Sequence, residues 1–372
     1  ARLSRATFDE LLEENPALWR KLEEIGLQHM RRRQLSQHLD RLFGPFGAMA
    51  PHILREIEED LQWLSLNSGQ TLFRQGDHSD GAYIVLTGRL QMETRLADGR
   101  EGVYDTVLAG ETVGEAALLT GRPQGHTVYA ARDSELVQLS PASFELLLKR
   151  NTRAIYNVSR ILGDRLARAP LSRDPARTPI RCIALIPAGP QVRLQEFARF
   201  LEVSVREHGA TLHLSSDLVS NKLQSATIAN AGENEAAGLR LTQWLSEQED
   251  QWRFLLYEGD AHWSAWSERC VRQADEVVVV ADTDADTDLA TVVARLARVR
   301  QRWSLALWHA ADLQRPRGTD NWLKGNDAHS IFHLRAGQRT DFERLGRILT
   351  GNAISLVLGG GGARGFAHLG VL

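Results

Sequence analysis

The segments LSRATFDELLEEN, beginning at Leu3, and LSPASFELLLKRN, beginning at Leu139, repeat Leu, Ser, Ala, Phe, two Leu and Asn in identical register. Helical periodicity explains the apolar positions, but not the shared Leu-Ser entry, the Phe or the closing Asn. The distance between the copies equals one domain of ordinary small size. Residues 1–43 are therefore expected to be the tail helices of a preceding domain, and residues 44–168 its complete sibling. The chain starts at Ala1 rather than Met and ends inside a glycine motif, which reads as a piece of a longer protein.

Within 44–168 the runs TLFRQGD, AYIVLTGRLQMET, GVYDTVLAGETVG and HTVYAARDSELVQLS alternate apolar with polar residues and are parted by Gly-Asp, Asp-Gly and Ala-Gly turns. That pattern predicts short antiparallel strands in a β-roll, flanked by helices at Pro51 to Leu64 and Pro141 to Leu166. LFRQGDHSDGAYIVLTGRL followed by VGEAALLTGRPQGHTVYA resembles a cyclic-nucleotide-binding domain, phosphate cassette included. The resemblance implies a nucleotide site at Gly114, Glu115, Ala116, Gln124, His126 and Thr127. Glu115 would meet the ribose 2′-hydroxyl, and the backbone from Gly114 to Leu118 the phosphate. The family's arginine falls on Gln124, with His126 where a small residue is usual. A neutral amide in place of a charge-assisted bidentate pair predicts weak binding of cyclic AMP or cyclic GMP. Arg122 or a protonated His126 would substitute only if the loop bent differently. No cofactor is required on this reading; a cyclic nucleotide regulator and a protein-docking scaffold both remain open.

The linker, 169–178, leads not into a DNA-reading helix but into IRCIALIPA, a buried-strand run. From 179 to 350, apolar strands alternate with amphipathic helices: VRLQEFARFLEVSVREH, TLHLSS, RFLLYEG, DEVVVVAD, LATVVARLARVRQRW, LALWHA, SIFHL. Alternation of this kind predicts a Rossmann-like parallel sheet covered by helices, with strands such as Val277 to Val280 buried on both faces. The loop after the first strand, Pro187-Ala188-Gly189-Pro190, has neither a glycine-rich phosphate cradle nor a Walker lysine, which favours a scaffold over a nucleotide hydrolase. Asp282, Asp284, Asp286 and Asp288 alternate as in a calcium loop. Thr287 and Val293 stand where that motif needs Gly and Glu, so a helix cap before Leu289 is the expected role. Of Trp244, Trp252, Trp263, Trp266, Trp303, Trp308 and Trp322, crowded into this region, most are expected to be core or shell, with a surface against a downstream domain left open for some. His262, His309 and His333 show no spacing for a metal, and no metal site is expected.

Residues 351–372 place GGGGARG directly after the apolar run Ile354 to Leu358, and Phe366 to Leu372 read as the start of a helix. Gly359 to Gly362 carry no Cβ, so consecutive amides can converge on one developing negative charge. Gly360, Gly362 and Gly365 also satisfy a dinucleotide fingerprint, and a flexible turn is the third reading. The pattern resembles the oxyanion loop of patatin-like phospholipases, and the order of parts resembles a bacterial relative of the neuropathy target esterase family. The resemblance implies a Ser-Asp hydrolase of lipid acyl esters, a lysophospholipase type, with Gly360, Gly361, Gly362, Arg364 and Gly365 forming its oxyanion loop. The nucleophile would lie in a downstream G-x-S-x-G, a motif this sequence lacks; Ser79 in GDHSDG has the wrong spacing. This segment alone is thus expected to be inactive. The overall expectation is multidomain α+β and α/β: β-roll, Rossmann-like unit, then the start of a patatin-like domain.

Composition narrows the partners. The 44 basic and 47 acidic residues leave a net charge of −3, which gives no footprint for nucleic acid. Two cysteines exclude a disulfide framework and fit a reducing, cytoplasmic setting. No apolar run approaches about 18 residues, the length that spans a bilayer. Arg31 to Arg33 read as a solvated helix face, and peripheral membrane contact is expected only of the intact protein.

Overall fold

A computed structural model describes residues 21, 25, 26, 29, 33, 35, 36, 38, 39, 57, 59, 60–95, 101–150, 152–168, 180–232, 235–285, 287–297, 302–324 and 327–354. The glycine loop, with Gly360, Gly361, Gly362, Arg364 and Gly365, lies outside the described residues.

The first unit is a β-roll of two antiparallel four-stranded sheets. One orders β1 (Gln62–Leu66), β8 (Ser134–Leu139), β3 (Ala82–Thr87) and β6 (Thr112–Val113); the other orders β2 (Thr71–Phe73), β7 (Thr127–Ala130), β4 (Arg89–Arg95) and β5 (Glu101–Leu108). β3 is buried at every position because alternate residues serve different cores. Ala82, Ile84 and Leu86 pack outward with Phe144, Leu147 and Val158, whereas Tyr83 and Val85 fill the interior with Leu90, Met92 and Val107. Leu35 and Leu39, from the region read as a preceding domain's tail, join the outer core. Between β3 and β4 the chain reverses at Gly88, φ +87°, where a Cβ would meet the Asp133 carbonyl oxygen at 2.4 Å.

A short helix, α1 (Glu115–Thr120), interrupts the roll between β6 and β7, and α2 (Pro141–Arg150) and α3 (Thr152–Arg168) follow it. One expectation needs correction. Helix was expected through Leu64, but Gln62 to Leu66 pair with β8, Trp63 opposite Val137, so sheet pairing overrides local propensity. The helical stretch expected from Pro141 to Leu166 is made of α2 and α3.

The second unit is a six-stranded, wholly parallel sheet, β10-β11-β9-β12-β13-β14. Its strands are β9 (Cys182–Pro187), β10 (Thr211–Leu214), β11 (Phe254–Glu258), β12 (Glu276–Asp282), β13 (Arg302–His309) and β14 (Ile331–Arg335). The covering helices are α4 (Leu194–Arg206), α5 (Ser216–Lys222), α6 (Ala236–Gln251), α7 (Ala265–Gln273), α8 (Leu289–Leu296), α9 (Thr319–Leu323) and α10 (Arg339–Leu349). β9 and β12 are fully buried, and each sends alternate residues to opposite faces. Cys182, Ala184, Val277 and Val279 lie in one cluster; Ile183, Leu185, Val278 and Val280 in the other. Counted within the sheet the order is 2-3-1-4-5-6, which exchanges the second and third strands of the dinucleotide-binding order. Trp266, Trp303 and Trp308 are core residues, as expected.

The two units meet through buried charge. Asp275, just before β12, accepts from Arg89 Nη1 (2.7 Å) and Arg132 Nη2 (2.5 Å) of the roll, and from the Arg181 and Cys182 amides (2.8 and 2.9 Å) at the entry to β9. Arg132 also pairs with Glu249, and Arg272 Nε donates to Asp133 at 2.8 Å. Arg132 is 1 % exposed, so this is an interior network, not a surface contact.

Candidate functional site

The β-roll borders a partly open cavity of about 280 Å³ beside α1, lined on one side by Leu162, Arg165 and Leu166 of α3. Its apolar wall is Phe73, Met92, Val113, Leu162 and Leu166. Gly114, φ +87°, turns the chain from β6 into α1; a Cβ there would meet the Gly81 carbonyl oxygen at 2.9 Å, so the position demands glycine. The turn delivers Glu115 into the interior, where it is 0 % exposed.

A charge at that depth needs a partner, and α3 provides it. Arg165 Nη1 donates to Glu115 Oε1 at 2.5 Å, Nη2 donates to the Thr112 carbonyl, and Nε faces Asp105 Oδ2 at 3.8 Å. Arg165 stands fifty positions from Glu115, beyond the reach of any local motif; only its place on the amphipathic helix hinted at burial. Tyr104, also unforeseen, stacks on His126 with centroids 4.0 Å apart and 23° between planes.

Of the residues expected from sequence, Gly114, Glu115, Ala116, Gln124 and His126 all line the cavity. Gln124 is fixed by its backbone, which donates to the Asp77 carbonyl and accepts from Gly76, each at 2.8 Å. Its side chain is 5 % exposed, and its Nε2 has no hydrogen-bond partner. Glu115 Oε2 and His126 Nδ1 are likewise unpartnered. Thr127 is not part of the lining; its hydroxyl accepts from the Gln75 amide at 3.1 Å and so steadies the neighbouring loop. Neither substitute for the missing arginine materialises. Arg122 is exposed and outside the lining, while burial first and the Arg165 charge second push the His126 pKa down, so the ring is neutral.

A second, smaller cavity of about 190 Å³ lies at the carboxyl ends of β9 and β12, the switch point where parallel sheets bind ligands. Here the polar groups are engaged. Asp260 accepts from Ser216 and Ser264 (2.6 and 2.5 Å), Asp288 caps α8 through the Thr291 amide, and the Arg295 guanidinium lies 4.9 Å from the Trp263 ring centroid. The Ala188 amide donates to Val280, so the loop after β9 does not offer it to a phosphate. Nearby, the structure joins two histidines the sequence left unconnected: His309 Nε2 and His333 Nδ1 are 2.9 Å apart, with Thr283 and Thr319 at the outer nitrogens. Among the described residues no group of three or more metal-binding side chains converges. None of their helices is long and apolar enough to cross a membrane.

Residues 63–151 match the family model described as "Cyclic nucleotide-binding domain", and residues 179–340 that described as "Neuropathy Target Esterase family P-loop like domain". Patatin-like phospholipase domain-containing protein 7 of Rattus norvegicus is 30% identical over 418 residues, covering 100% of this chain and 29% of the relative. Patatin-like phospholipase domain-containing protein 6 of Homo sapiens is 32% identical over 399 residues (95% and 28%), and neuropathy target esterase sws of Drosophila melanogaster 33% over 361 (86% and 25%). The chain thus spans under a third of the length of these curated relatives. Among solved structures, the regulatory domain of Toxoplasma gondii PKA with cAMP is 28% identical, with TM-score 0.29 and coverage of 32% of this chain and 44% of that one. The sensor domain of the transcriptional regulator DNR from Pseudomonas aeruginosa is 22% identical, with TM-score 0.32 and coverage of 40% and 95%.

Proposed function

We propose that this chain, whose two matched domains and curated relatives are those of neuropathy target esterase and the patatin-like phospholipases, is the regulatory and N-terminal part of a serine hydrolase acting on lipid acyl esters. The observation that carries the reading is the succession of a cyclic-nucleotide-binding-type roll, a parallel α/β unit without a phosphate cradle, and GGGGARG after an apolar run. In the intact enzyme a serine attacks the ester carbonyl, an aspartate activates it, and the amides of Gly360 to Gly362 receive the charge of the tetrahedral intermediate. The roll and the α/β unit serve as regulatory scaffold, with the β-roll cavity as the regulatory pocket. The test is hydrolysis of lysophospholipid by the protein extended through its next G-x-S-x-G, with that serine changed to alanine as control. Gly361→Val, which crowds the amide cluster, should lower kcat about a hundredfold or more. Absence of such a serine from the continuing sequence, or undiminished turnover in both variants, refutes the reading.

A further inference from the structure

Residues lining one cavity carry four buried polar atoms without hydrogen-bond partners: Glu115 Oε2, Gln124 Nε2, His126 Nδ1 and Arg165 Nε, the last 3.8 Å from Asp105 Oδ2. Orphan groups at such depth are costly, and their convergence marks a place that a ligand completes. The orphans specify its chemistry. Glu115 Oε2 accepts, Gln124 Nε2 donates, and neutral His126 can do either, a set suited to hydroxyl groups.

The charges specify it further. Arg165 is the sole cation lining the cavity among the described residues, and it is engaged by Glu115, the Thr112 carbonyl and the nearby Asp105. One guanidinium thus already faces two buried carboxylates. An entering phosphate would be a third anion around one guanidinium whose remaining donor, Nε, already faces Asp105, at a position where Gln124 offers only a neutral donor. An uncharged ligand meets no such penalty. The Tyr104–His126 stack, Phe73 and Met92 suit a flat ring, and about 280 Å³ lies at the small end of ligand sites.

We propose that the β-roll cavity takes an uncharged nucleoside, with a ribose hydroxyl on Glu115 Oε2 and a second hydroxyl on Gln124 Nε2, and that it rejects cyclic nucleotides. This deepens the reading of the cavity as a regulatory pocket. It does not require the chain to belong to a hydrolase, because binding is measured on this chain without any ester.

The experiment is calorimetric titration of the chain with adenosine, guanosine, cytidine and uridine, and with cyclic AMP and cyclic GMP. At least one nucleoside should bind, and its 3′,5′-cyclic phosphate should bind about a hundredfold more weakly or not at all. Gln124→Arg should shift the ratio toward the cyclic nucleotide by tenfold or more, and Gln124→Ala should weaken the nucleoside about tenfold without that shift. A cyclic nucleotide bound as tightly as its nucleoside overturns the proposal, as does failure of all four nucleosides to bind. The competition in the unsubstituted chain decides the matter even if a variant misfolds. Lysophospholipid hydrolysis by the extended protein stands or falls separately.

Discussion

Asp275→Asn isolates the charge at the junction of the two units. The carboxylate is saturated: Oδ1 holds Arg89 and Arg132, and Oδ2 holds the Arg181 and Cys182 amides. Asparagine keeps one acceptor oxygen and sets an NH2 against two donors, whichever way the amide turns. Arg132, 1 % exposed, then has only Glu249 for charge compensation. Removing one member of a buried ion pair costs about 3–5 kcal/mol, against less than about 1 kcal/mol for an exposed pair. With the Asp275 side chain 10% exposed, the larger figure applies. Titration gives an independent check. Burial alone would raise the Asp275 pKa, but the Arg132 and Arg89 guanidiniums override it and hold the group at about 2, against an ordinary 3.8. That displacement corresponds to stabilisation on the order of 2 kcal/mol. The native pKa is the depressed one, so the stabilisation is present above the unfolded value and lost as pH falls from about 4 toward 2. Urea unfolding followed by tryptophan fluorescence at pH 7 should show Asp275→Asn less stable by about 3–5 kcal/mol, and its acid limb should be flatter than that of the unsubstituted chain. A loss below about 1 kcal/mol with an unchanged acid limb would refute the account of the junction as buried electrostatics.

Two further predictions test the α/β unit. Trp266, fully buried, donates from Nε1 to the Glu258 carbonyl at 2.8 Å, so Trp266→Ala should cost about 3–5 kcal/mol in the same urea titration, with Trp266→Phe recovering part of it. His309 is pushed below the ordinary histidine value by burial and then by His333, and His333 by burial and then by Arg344. Folding therefore favours the neutral rings: stability is full above the ordinary value of 6.5 and declines as pH drops below it, so the melting temperature should fall between pH 7.5 and 5.5, less steeply in His309→Gln.

The architecture was legible because periodicity carries it. Alternation across β3 and the unbroken apolar run of β12 each state which faces are covered, and the Gly114-Glu115 cassette is local in sequence. Asp288 was legible for the same reason, a cap being decided within three residues of its helix. What escaped were long-range pairings. Glu115 and Arg165, Arg132 and Asp275, and His309 and His333 come together only once strands and helices are in place, and one Arg among the four of an amphipathic helix looks as solvated as the others. The helix expected through Leu64 failed likewise, since its partner strand lies some seventy residues away.

The pocket and the junction share structural elements. Met92 lines the cavity and Arg89, three residues earlier on β4, holds Asp275. β7 begins beside His126 and runs into the turn bearing Arg132 and Asp133. These shared strands lead to the prediction that a shift of the pocket wall on binding reaches the arginines on Asp275, which in turn accepts from the first amides of β9. Coupling between sites is a free-energy difference, and a saturated buried carboxylate turns a small displacement into the loss of strong bonds. Nucleoside binding should then slow hydrogen exchange at the Arg181 and Cys182 amides, which lie outside the cavity lining. In Asp275→Asn the ligand should still bind, but that protection should vanish. Equal protection in both proteins would show that the junction merely holds the units together and transmits nothing.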